Sequence, residues 1–225
     1  MSRWGMATRT RPTSRREDAL SRERIIGAAV ELLDVAGEGG LTFRALAAHL
    51  KTGPGAIYWH VANKSELLSA AVDAVLGPAM ASGDAIRDVA LGVFDAVDAH
   101  PWVGTHLSYN PSQPAMVRIF ERIGRHVQAL GVPPAAQFTA ASTILNFILG
   151  VAGQNAAGAR ALGGVTNRTD FLAAASAAWA GLDPREYPFT RAVAEQLRDH
   201  DDRAQFLGGV DLILAGIAGL RPDLS

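Results

Sequence analysis

Between positions 41 and 67 the chain reads "LTFRALAAHLKTGPGAIYWHVANKSEL", and in it stand Thr42, Arg44, Lys51, Thr52, Tyr58, Trp59, His60 and Lys64. Together these side chains offer hydroxyl, guanidinium, ammonium, imidazole and indole donors. The sequence shows no nucleophile motif, phosphate loop or metal-binding pair, so the chemistry open to this group is binding rather than bond making. A phosphate backbone is one partner that such donors suit. A core cluster beside a turn is the other reading of Tyr58, Trp59 and His60, and taken by themselves the three rings fit it better.

The elements that position these residues are legible from caps and periodicity. A helix starts at Ser21 with Ile25, Ala29, Leu32, Leu33 and Ala36 on one face, and stops at "GEGG". Thr42 caps a short second helix, "FRALAAHL". "KTG" makes a turn, and Pro54 suits the first position of a third helix, where its missing N–H costs nothing. Asn63 and Glu66, spaced as Asn-x-x-Glu, open a fourth helix that turns Leu67, Leu68, Ala71, Val72 and Val75 inward. Beyond a break at Gly77-Pro78, helices are expected near 84–99, 101–109, 112–130, 134–160, 168–181, 189–199 and 201–220. Strand signals are poor, and the fold class is all-α.

The totals agree with a folded, soluble protein. Of 225 residues, 48% are hydrophobic and 19% charged, enough for a sizeable core. There is no cysteine, which rules out disulfides and thiolate metal sites and fits a reducing cytoplasm. No apolar run follows the basic residues at the N-terminus, so no secretory signal is expected. The longest apolar stretch, "FTAASTILNFILGVAG", is shorter than a membrane span and contains Asn146, so it reads as a buried helix. Charge is uneven. Residues 1–66 hold 10 Lys+Arg against 7 Asp+Glu, the remainder 11 against 15. A basic end on an acidic protein suggests a polyanionic partner there, or else a solvated tail with chance arginines. Residues 1–20 read as a basic arm, either a groove contact or a disordered tail, with Met6 a second candidate for the start.

Three short helices before a long one, with a turn between the second and third, give a helix-turn-helix in which the third helix enters the major groove. Residues 22–68 resemble the DNA-binding domain of the tetracycline-repressor (TetR) family, on the pieces "LTFRALAAHL", "KTGPGAIYWHV" and "NKSEL". With that motif around them, the aromatic trio reads as DNA-contacting. Thr42 and the free N–H groups behind it can hold a phosphate, Tyr58 and His60 can donate to others, and Lys64 adds charge. Trp59 packs its ring or offers its indole N–H, while Ile57 and Val61 face the small domain's core. Pro54, Gly55 and Ala56 present almost no side chain, which permits close backbone approach but no bidentate bond to a base. Readout is left to thymine methyls, to Thr52, Lys51 or Arg44, to water, or to DNA shape. The family's best-known member carries a longer polar side chain at the position of Pro54, so no operator sequence carries over.

The resemblance implies the rest of the organisation: a DNA-binding domain over 21–66 and an effector-binding, dimerising helical domain over 67–225. Polar or aromatic residues among apolar ones, Trp102, His106, Tyr109, Asn110, Phe120, Asn146, Phe147 and Gln154, are the effector-site candidates. Asn146 and Gln154 also fit bonds to neighbouring helices or across a dimer interface. On the last helix Phe206, Val210, Ile213, Leu214, Ile217 and Leu220 form one stripe; Gly208, Leu212, Ala215 and Gly219 form another, suited to a second subunit or to a helix buried all round. Asp98, His100, His106 and the run His200, Asp201, Asp202 lack metal-motif spacing, and no metal or cofactor is implied. The expectation is a cytoplasmic homodimeric regulator, most simply a repressor that leaves a palindromic operator when a small molecule binds. The rival readings are a helical ligand-binding or enzymatic domain with a vestigial DNA-binding end, and an architectural DNA binder.

Overall fold

In a computed structural model the structure describes residues 20–81, 85–109, 111–162 and 167–220. The basic arm up to residue 19 and Asn110 lie outside the described residues. The chain divides into two compact units, Met1–Leu68 and Ser69–Ser225.

The first unit is built from α1 (Arg22–Gly40), α2 (Phe43–His49), α3 (Pro54–Tyr58) and the first turns of α4 (Lys64–Ala81). Ser21 caps α1 by accepting from the Arg24 N–H. The regular helix stops within "GEGG", because Gly37 turns to φ 63° and ψ −171°. Gly40 must be glycine for another reason: a Cβ there would lie 2.2 Å from that of Ala36. The core is Ile25, Ala28, Ala29 and Leu33 of α1, Leu41, Leu46 and Ala47 around α2, Ile57 and Val61 around α3, and Leu67 and Leu68 of α4. Each fully buried Leu or Ile contributes roughly 1.5–3 kcal/mol, which gives so small a unit its definition.

α4 differs from expectation, because it runs through Gly77 and Pro78 to Ala81. Proline removes one helical hydrogen bond and crowds the preceding turn. Here it falls in the last turn, whose end is held by the Arg122 guanidinium on the Met80 carbonyl. In the second unit α5 (Ile86–Ala99), α6 (Pro101–Tyr109), α7 (Pro114–Ala129) and α12 (Asp202–Ala218) all pack on α8 (Pro134–Leu162). α9 (Arg168–Ala180), α10 (Pro188–Ala192) and α11 (Ala194–Arg198) pack on one another. The expected helix over 189–199 is two short ones, parted at Val193 (φ −101°, ψ 3°).

The length argument against a membrane span does not hold. Residues Pro134–Gly158 have a mean hydropathy of 1.4 and are long enough to cross one. Their placement is that of a core helix, with Ala141, Ile144, Ile148, Ala152 and Ala156 buried along one stripe. α12 is not buried all round. Phe206, Val210 and Ile217 face inward, whereas Leu212 is 77% exposed, and Gly208, Ala215 and Gly219 are exposed as well.

Candidate functional site

The turn between α2 and α3 is set by backbone hydrogen bonds. The Thr52 N–H reaches the Ala47 carbonyl at 2.9 Å and the Lys51 N–H that of Ala48 at 3.2 Å, the paired bonds of a Schellman cap. Such a cap needs a left-handed residue, normally glycine. Here Lys51 takes it at φ 53°, the one positive φ of a non-glycine among the described residues. Thr42 caps α2 through its Oγ1, which accepts from the Ala45 N–H at 3.0 Å. The hydroxyl proton is thereby left to donate elsewhere.

α3 is short and divided by face. Ile57 is fully buried and holds the helix to the unit's core. Pro54 and Gly55 are exposed and Ala56 is half-buried, so the helix starts with no polar side chain. Tyr58 is 54% exposed with its ring stacked on Phe43, centroids 4.5 Å apart. Trp59 is 90% exposed. Burying an indole contributes several kcal/mol, so a Trp left in solvent packs no core. The Trp59 ring therefore lies outside the core of the unit. Arg44 and Lys51 are exposed, and Thr52 and His60 are half-buried.

The start of α4 is held by a reciprocal pair. The Glu66 N–H donates to Asn63 Oδ1 at 2.8 Å, and the Ala62 N–H donates to Glu66 Oε2 at 2.8 Å. Arg22 reaches the other carboxylate oxygen at 3.2 Å, joining the first turns of α1 and α4. The Ala62 bond, and after it the Arg22 guanidinium, holds the Glu66 carboxyl below the usual glutamate range. Lys64 is half-buried, and its Nζ donates to the Glu38 carbonyl at 2.7 Å. The lysine therefore closes the end of α1, a task its sequence position did not reveal. Two further protons on Nζ permit a second partner.

The second unit holds a cavity of about 700 Å³ between α7 and α8, lined by Leu107, Pro111, Met116, Val117, Phe120, Phe138, Ser142, Leu145, Asn146, Leu149 and Gly150. Of the eight effector-site candidates it gathers Phe120 and Asn146. Trp102 is buried near His100, ring centroids 6.1 Å apart. Phe147 stacks on Phe206 at 5.8 Å, and Phe206 on Phe94 at 4.6 Å, a three-ring stack in the core. His106 is half-buried on α6 and Gln154 exposed on α8, neither lining the cavity. Tyr109 closes α6, and Asn110 lies outside the described residues. Sequence reasoning missed Phe138, Ser142, Leu145 and Leu149. Their spacing of four, three and four marks a second stripe on α8 beside the buried one. The paired residues of the His200 run take structural roles. Asp201 caps α12 by accepting from the Arg203 and Ala204 N–H groups, and Asp202 meets His200 at 3.0 Å and Arg168 at 2.5 Å.

Comparison with known proteins adds the following. Residues 25–71 match the model of bacterial regulatory proteins of the tetR family, and residues 83–221 that of the tetracyclin repressor-like C-terminal domain. The fold is similar to that of the transcriptional regulator SCO7222, a TetR from Streptomyces coelicolor: TM-score 0.82, 57% identity, covering 91% of this chain and 100% of that one. An HTH-type transcriptional regulator of Saccharopolyspora erythraea is 28% identical over 214 residues, 91% of this chain and 87% of its own. The class D tetracycline repressor of Escherichia coli is 51% identical over 51 residues, 23% of each chain.

Proposed function

The chain belongs to the TetR family of bacterial regulatory proteins, and from that premise we propose that it works as a two-fold dimer, binding a palindromic operator through α2 and α3 and releasing it when a small molecule fills the cavity on α8. The observation that carries the DNA reading is Trp59, 90% exposed beside Tyr58 at the end of a helix whose other face is locked into the core. Thr42, Arg44, Lys51, Thr52, Tyr58, His60 and Lys64 supply phosphate and base-edge contacts around it. Pro54, Gly55 and Ala56 let the backbone of α3 come close. A two-fold dimer sets two such helices in successive major grooves, about 34–36 Å apart. Leu212, with Gly208, Ala215 and Gly219, forms the dimer face, since small residues allow two helices to approach closely.

DNA and effector are then linked reciprocally: each weakens the other's binding by the same factor. α4 is the connection, because it starts in the first unit and ends in the second. Selecting random duplex DNA on the purified protein tests the reading, and an enriched palindrome is expected. Trp59→Ala is expected to lower affinity for the selected duplex roughly tenfold or more. Its stability should stay within about 0.5 kcal/mol of wild type, as for other exposed positions. A large loss of stability with unchanged affinity would return Trp59 to a packing role. The bare start of α3 favours one other reading, an architectural binder, for which the same selection yields salt-sensitive binding without enrichment.

A further inference from the structure

The walls of the cavity on α8 carry a chemical preference. Phe138, Ser142, Leu145, Asn146 and Leu149 face it from α8, and Phe120 from α7. Among the described residues none of its lining side chains is ionisable. An ion entering from water loses solvation worth several kcal/mol unless a counter-charge receives it. Of the charged side chains on and around α7, Arg118 pairs with Asp73 and Arg125 with Glu121, and none of these four lines the cavity. What the cavity does offer is neutral. The Ser142 hydroxyl and Asn146 amide stand one helical turn apart, each able to donate and accept. Phe120 and Phe138 meet edge to face, centroids 6.0 Å apart, and a flat ring extends such a pair. Phe138 is 73% exposed and Asn146 exposed, so both are open to an occupant from solvent. A volume of about 700 Å³ suits a drug-sized molecule.

Resting on the reading of this cavity as the effector site, we infer that it takes an uncharged, mainly apolar molecule with at least one aromatic ring, held by hydrogen bonds to Ser142 and Asn146 and by no ion pair. The full chain is titrated with two fluorescent probes of one skeleton: neutral N-phenyl-1-naphthylamine, and 8-anilinonaphthalene-1-sulfonate, a permanent anion. The neutral probe is expected to bind at least tenfold more tightly. Leu149→Trp, which fills the cavity, should weaken it at least tenfold. Asn146→Lys, at an exposed position that folding tolerates, should shift the preference toward the sulfonate; a cooperative thermal transition checks both variants. Equal or tighter binding of the sulfonate to the wild-type chain, no binding of either probe, or titrations that both substitutions leave unchanged would each overturn the inference. Retention of the selected duplex is measured alongside. If the neutral probe binds with this preference and the duplex stays bound, the charge rule stands and the effector role loses support. If an anionic compound displaces the probe and releases the duplex, the role stands and the charge rule falls.

Discussion

Lys51 is where a single residue shows most about use. A left-handed backbone costs an L-residue about 1–2 kcal/mol, and glycine would remove that cost. The lysine that sits there at φ 53° is exposed and stands three residues before α3. Strain held at one position suggests a side chain wanted for its charge. Lys51→Gly is expected to raise stability by about 1 kcal/mol and to weaken binding to every duplex, with the slope of log affinity against log salt shallower by about 0.9 for each lysine lost, about 1.8 for a dimer. Thermal melts and a salt series check the two halves separately. A stabler protein with an unchanged slope would leave Lys51 without a DNA role. The residues of this site were legible in the sequence because caps and turns are written locally: Thr42, Pro54 and the Asn63–Glu66 pair each announce a helix start within four residues. The left-handed lysine was not, since the expected glycine one step into a turn was replaced by a residue with no turn preference of its own.

At the scale of elements, Glu66 ties two helix starts together. Its folded pKa lies below the unfolded one, so its stabilising effect is full above the unfolded value, roughly pH 4.3, and is lost as pH falls through the lower folded value. Glu66→Gln should therefore lower the melting temperature at pH 7 and show a smaller further fall than wild type between about pH 5 and pH 3. Parallel acid-side curves for the two proteins would remove Glu66 from the linkage. Helix order and most boundaries followed from Gly, Pro and capping residues. The break at Gly77-Pro78 did not, because a distant side chain, Arg122, holds the last turn of α4. The cavity was the least legible element. Leu145 and Leu149 look like core residues in a helix that also buries Ile144 and Ile148, and only the packing of α7 on α8 separates the two stripes. Two other candidates lie apart from this cavity: Gln154 is exposed, and Phe147 belongs to the aromatic stack.

For the whole molecule the decisive face is that of α12. Leu212→Arg is expected to give monomers by light scattering. Affinity for a duplex with both half-sites should fall at least a hundredfold, as the joint binding of two linked modules is lost, while affinity for a single half-site stays the same. A dimer that survives the substitution would move the interface to another face. All-α architecture was readable from periodicity, and the DNA-binding end from the resemblance its helix-turn-helix motif carries, charge alone leaving a solvated tail open. The proposed dimer face was readable only as a stripe, since a buried stripe and a subunit contact have the same composition.

The sparse start of α3 has a consequence at the level of the genome. If α3 enters the major groove as proposed, Pro54 and Ala56 would sense little of a base pair beyond the methyl group at position 5 of a pyrimidine, which thymine carries and cytosine lacks. Enzymatic methylation of a cytosine in the operator would supply that methyl without altering the code, so the occupancy of such a site becomes open to epigenetic change.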